Sequence, residues 1–175
     1  MTFNHNKNGI TFNDEVDRVI RELTQVVEKE VRAFQTLLGV LQEQQTSILT
    51  GDAQRVIETH TEVEHILDES RELEKNRKSV ATTLSRQLCI EEEATLSTLI
   101  PFIEEQYARR LEEMKDMLNM LSTKIQHTNQ RNKFLLENSL ANVDRYLHQF
   151  VGISNETTDN RRDELVEGGG KSWWS

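Results

Sequence analysis

The stretch Asp14–Gln54, DEVDRVIRELTQVVEKEVRAFQTLLGVLQEQQTSILTGDAQ, decides the fold. Val16, Ile20, Leu23, Val27, Val31, Phe34, Leu38, Leu41 and Ile48 follow in steps of three and four, with one longer step over Gln45. That spacing puts one apolar stripe on one face of a long α-helix. Asn13 or Asp14 can accept hydrogen bonds from the first free backbone N–H groups. Gly51 suits a left-handed C-terminal turn, and Asp52 can cap a second helix immediately afterwards. Two long helices joined by so short a break must run antiparallel.

The second helix is expected over Ala53–Leu88. Its seam is weaker: Val56, His60, Val63, Leu67, Ser70, Leu73, Val80, Leu84 and Leu88. The rest of its surface is densely charged and reads as a solvated face. "CIEEEATLSTLIP" (Cys89–Pro101) is the next break. Glu91, Glu92 and Glu93 would sit well near the positive end of a following helix. Pro101 is tolerated in a first turn, where its missing N–H leaves nothing unpaired. A third helix is therefore expected to start between Thr95 and Pro101 and to continue to Gly152. Fifty residues of helix would span roughly 75 Å. The expected fold is all-α: an elongated antiparallel three-helix bundle or coiled coil with a long C-terminal helix. Residues 1–12 read as a flexible N-terminus, 13–152 as the helical domain and 153–175 as a disordered tail. Trp173 and Trp174 are the one anomaly in that tail.

Composition supports thin, exposed helices. Of 175 residues, 29% are charged, only 6% are aromatic, and Pro occurs once. The net charge of −9 argues against nucleic acid, which needs clustered Lys and Arg. The short basic cluster Lys75–Lys78 is surrounded by acidic residues. Cys89 is the only cysteine, so an intramolecular disulfide is impossible. The N-terminus "MTFNHNKNGITFN" has no apolar core of the kind a signal peptide carries. No apolar run reaches membrane-spanning length. A cytoplasmic protein is expected.

Little in the chain points to catalysis. A di-iron site in a bundle needs two Glu-x-x-His motifs, and only Glu62-Val63-Glu64-His65 is present. His60 and His65 are five apart and do not share a face; His60 is expected as a tolerated polar residue of the seam. The three glutamates after Cys89 would disfavour its thiolate. No enzyme activity, no metal and no cofactor are expected.

The informative region is Ile125–Phe150, IQHTNQRNKFLLENSLANVDRYLHQF. Its seam is Ile125, Thr128, Asn132, Leu135, Ser139, Val143, Tyr146 and Phe150. Thr128, Asn132 and Ser139 stand where a coiled coil wants Leu or Ile. A seam Asn lowers stability and restricts register, and each buried polar group left unpaired costs about 1–3 kcal/mol. This helix end is therefore expected to pack poorly on its own chain. Larger apolar residues follow at once: Leu135, Leu136, Leu140, Val143, Tyr146, Leu147 and Phe150. Such a surface suits helix-to-helix recognition of a partner.

"TNQRNKFLLENSL" (Thr128–Leu140) resembles the Asn-x-x-Asn-x-x-Leu pattern in the C-terminal helix of the FlgN family of flagellar export chaperones. The order of helices over residues 14–152 is similar as well. The resemblance implies a cytosolic chaperone for the flagellar type III secretion apparatus. Such a protein binds the hook–filament junction (hook-associated) proteins, prevents their early assembly and delivers them to export gate or ATPase components. By matched position, Asn129, Asn132 and Leu135 or Leu136 correspond to the client-binding motif, and Leu140, Val143 and Leu147 continue its apolar face. Ser139 and Tyr146 complete the expected client-binding set. No stable membrane insertion is implied, and the free protein is expected as a monomer or weak homodimer. The alternative is a structural coiled-coil or scaffold protein acting through helix–helix self-association.

Overall fold

The computed structural model describes the backbone of residues 14–166 and the side chains of residues 14–150. The N-terminal segment 1–12, the end of the tail, and Trp173 and Trp174 lie outside the described residues. The described chain is all-helical. α1 spans Asp14–Thr50, α2 Ala53–Gln87, and α3 is a single turn, Leu96–Leu99. A 3-10 turn covers Ile100–Phe102, and α4 spans Glu105–Val166.

The two breaks between long helices use the same backbone device. After α1, Gly51 has φ +73°, its N–H donates to Ile48 O, and the Asp52 N–H donates to Ser47 O at 2.9 Å. These paired bonds satisfy carbonyls that a helix end leaves free. Asp52 then accepts from Arg55 N at 3.0 Å and starts α2. The end of α2 repeats the pattern with Cys89 in the left-handed position (φ 53°): Cys89 N–H donates to Arg86 O and Ile90 N–H to Ser85 O. A side chain in that conformation is strained by about 1–2 kcal/mol.

The segment before α4 differs from the sequence expectation. Thr95 does cap a helix, reciprocally with Thr98, but this helix ends after four residues. Pro101 sits in the first turn of the 3-10 segment, and Ile103 is extended, with φ −106° and ψ 165°. The long helix therefore begins at Glu105, not between Thr95 and Pro101. Tucking Leu96, Leu99 and Ile103 into the core is the reason for the extra turn; all three are buried. At the other end α4 does not stop at Gly152 but continues to Val166. A lone Gly disfavours a helix by only about 1 kcal/mol, which its neighbours can offset.

By contacts the chain divides into two compact units, one up to Asn132 and one from Lys133 onward. The first unit holds the core. Ile20, Leu23, Leu84, Leu99 and Leu111 have no exposed surface and bring α1, α2, α3 and α4 into one cluster. Burying each such side chain contributes about 1.5–3 kcal/mol. A second, smaller cluster lies nearer the α1–α2 turn and is formed by Leu37, Leu41 and Ile66, with Val40, Val63 and Ile125 against it.

Between the two clusters and beyond the second, α1 presents polar residues to the interior. From Val27, steps of three and four lead through Glu30, Ala33, Leu37, Leu41 and Gln44 to Ile48, and all of these are buried. The sequence seam instead moved to Val31, Phe34 and Leu38, which are half-buried. α2 shows a similar change of phase. Thr59 and Ile66 are buried, whereas His60 is exposed and is no core residue. Apolar residues are too sparse on that half of α2 to define its phase alone.

The buried Glu30 carboxylate meets Arg77 of α2, with Arg77 Nε 2.8 Å from Glu30 Oε2. Burial pushes the Glu30 carboxyl above its ordinary range, and the attraction and hydrogen bond of Arg77 offset this only in part. On the surface, Arg55 bridges Glu43, Glu58 and Glu62 across the α1–α2 turn. These exposed pairs are worth little individually.

Candidate helix-binding surface

Asn132 is the last residue of the first unit, and it is 1% exposed. Its Nδ2 group donates to Leu41 O at 2.8 Å and to Gln44 Oε1 at 3.1 Å. Its Oδ1 is buried with no hydrogen-bond partner. The polar residue in the seam is thus matched by a polar residue at the facing position of α1. This corrects the expectation that the seam packs poorly throughout: at Asn132 the helix is tied to its own chain by two hydrogen bonds. Gln44 was missed in the sequence because only apolar residues were followed along α1. The three-and-four step through Leu41 reaches it directly.

The other expected site residues separate into groups. Asn129 is exposed. Leu135 and Leu136 are half-buried, and Ser139 is exposed. Thr128, half-buried, donates its hydroxyl to Lys124 O one turn back. Leu140, Val143, Tyr146 and Leu147 are 68%, 54%, 63% and 56% exposed. At about 100° per residue, Leu136, Leu140, Val143 and Leu147 fall within one narrow arc of the helix. Tyr146 and Ser139 flank that arc on one side. Phe134, 62% exposed, faces the opposite way and was not among the expected residues.

Isolated apolar side chains on a surface need no explanation, but four on one arc form a contiguous stripe. A helix can bind such a stripe through anchors at i, i+3, i+4 and i+7. The charges beside it are Glu137 and Asp144 with Lys133, which pairs with Glu137, while Arg145 lies on the opposite side of the helix. Among the described residues no group of three or more His, Cys, Asp or Glu is placed to hold a metal ion. Within the Glu62–His65 motif, Glu62 pairs with Arg55 and Glu64 lies 3.7 Å from His60 Nε2. No described helix is long and apolar enough to cross a membrane.

Fold and surface together define an all-helical protein whose distinctive chemistry is an exposed apolar helix face. The family model described as FlgN protein matches residues 19–163, which includes most of α1, all of α2 and the whole of this face. The chain belongs to the FlgN family, the flagellar export chaperones. No curated protein matches it, and no solved structure does.

Proposed function

We propose that the protein is a cytoplasmic chaperone for the hook–filament junction proteins of the flagellum and delivers them to the export gate or its ATPase. The observation that carries this reading is the stripe Leu140, Val143 and Leu147, more than half exposed at each position. The stripe, with Leu136 and Tyr146 beside it, pairs with an amphipathic helix of the client. Asn132, buried against α1, sets where the intramolecular packing of α4 ends and client binding begins; Asn129, Leu135 and Ser139 border the contact. An interface of about 1,200–2,000 Å² is enough for a specific complex. α1, α2 and the first part of α4 form the antiparallel three-helix part of the chaperone. Binding is protein-to-protein, without catalysis, cofactor or membrane insertion.

The test is capture of a purified hook-associated junction protein by the full chain, measured by calorimetry. Leu140→Asp combined with Val143→Asp should abolish capture while leaving unfolding stability within about 0.5 kcal/mol, since both sites are exposed. Retention of wild-type affinity in the double variant would place the client elsewhere. A self-associating scaffold is the second reading. It predicts a stable oligomer in sedimentation that the same double variant dissociates.

A further inference from the structure

Two cavities open on the first unit between α2 and α4, and they meet. One, of about 520 Å³, is lined by Gln44, His60, Val63, Glu64, Leu67 and Asn129 among others. The other, of about 470 Å³, is lined by Glu30, Leu67, Glu74, Arg77, Leu118 and Ile125 among others. Leu67 and Arg71 line both, so the two form one groove. Its floor is α1 from Glu30 to Gln44, about 21 Å of helix.

The groove exists because α2 cannot close it. Toward α4, α2 offers Val63, Leu67, Ser70 and Glu74, of which only two are apolar. Ile66 has turned onto α1 instead and is 9% exposed, while its neighbour Leu67 is left 37% exposed. The walls therefore carry an unfinished apolar strip: Val63 and Leu67 on one side, Leu118 and Ile125 on the other. Acidic groups dominate the polar lining. Glu30, Glu64, Asp68 and Glu74 stand against Arg71 and Arg77. Both arginines already have carboxylate partners in Asp68 and Glu30, and Glu74 holds Lys78 at 2.7 Å. Glu64, 3.7 Å from His60 Nε2, is the lining carboxylate without a lysine or arginine partner among the described residues.

From this we infer that the groove is a second docking surface, distinct from the stripe on α4. Its occupant is an amphipathic helix of another protein, with an apolar face and a lysine- or arginine-bearing flank. Such a helix would complete a four-helix layer, covering Leu67 and placing a cation near Glu64. The excess of carboxylates selects the basic flank. The chain's own charge of −9 disfavours a second copy in that place. An acidic groove also attracts a basic partner at long range and makes association faster at low salt.

The test uses the full chain and three fluorescent peptides of about 14 residues, the helix length that spans the floor. The first has a leucine stripe flanked by lysines and is locked helical by a side-chain staple. The second replaces the lysines with glutamates. The third has the composition of the first in scrambled order. The first should bind at least about tenfold more tightly than either of the others, with affinity falling as salt rises. It should protect amides of residues 60–77 from hydrogen exchange. Leu67→Asp, at a partly exposed site, should weaken it about tenfold, and Leu140→Asp should leave it unchanged.

Equal binding of the scrambled peptide would reduce the effect to bulk charge and overturn the inference. So would equal binding of the glutamate peptide, no binding at all, or protection confined to residues 134–150. A free chain that sediments as a dimer and becomes monomeric on Leu67→Asp would assign the groove to a second copy and overturn it as well. Because the readout concerns α2, its failure leaves the client reading of the α4 stripe standing, and the converse also holds.

Discussion

Replacing Asn132 by Asp tests whether α4 is tied to α1 where the structure places the tie. The change keeps the shape of the side chain and removes both donors. A carboxylate then faces two acceptors, Leu41 O and Gln44 Oε1, which now lie 2.8 and 3.1 Å from Nδ2. The side chain can escape by taking up a proton. From an ordinary Asp pKa near 3.9, holding it neutral at pH 7 costs about 4 kcal/mol. The protonated form still makes one hydrogen bond where Asn made two, a further loss of about 1 kcal/mol. Rotation of the Gln44 amide can return one donor to a carboxylate, worth about 1.5–3 kcal/mol. The expected net destabilisation is therefore about 2–4 kcal/mol at pH 7.

The pH dependence has a definite sign. The folded state raises the pKa of Asp at this site, so it binds the proton more tightly than the unfolded chain does. The variant's deficit should be large at pH 7 and shrink as the pH falls toward the unfolded value near 4. Urea unfolding of wild type and variant at several pH values measures the difference directly. A loss below about 0.5 kcal/mol with no pH dependence, the behaviour of a surface site, would refute the tie between Asn132 and α1. Asn132→Leu should also destabilise: the apolar side chain removes the unpaired Oδ1 but leaves Gln44 Oε1 without its donor.

Two further outcomes are expected. Arg77→Met leaves the Glu30 carboxylate buried without its partner and should cost about 3–5 kcal/mol at pH 7. Because the Glu30 pKa is raised in the folded state, stability on this account falls as pH rises above the ordinary carboxylate range, and more steeply in the variant; unfolding curves at pH 5 and 7 check both. Cys89→Gly should raise stability by about 1 kcal/mol, since the residue at the end of α2 holds the left-handed conformation that glycine adopts without strain; thermal unfolding under reducing conditions reads this.

Much of the fold was legible in local chemistry. Gly51 and Asp52 mark one turn because only a few residue types tolerate positive φ or offer an oxygen to a free helix N–H. The stripe Val16, Ile20, Leu23, Val27 identifies α1 because apolar residues at that spacing have to be covered. The apolar run from Leu136 to Leu147 was equally visible as a face. Thr95 was legible as a starting point, but not that its helix would end after one turn.

What the amino-acid order determined alone was the set of long helices, their turns and the balance of charge, all of which depend on residues within a few positions of each other. Only the tertiary structure decided the rest: that Glu30 and Gln44 are buried, that Ile66 and not Leu67 meets α1, and that Asn132 is held by α1 while Leu140 and Val143 are exposed. Burying a polar residue is costly unless a partner offsets it, and for Glu30 and Gln44 those partners, Arg77 and Asn132, lie 47 and 88 positions away along the chain. No pattern read along a single helix contains that pairing, because it is made between helices.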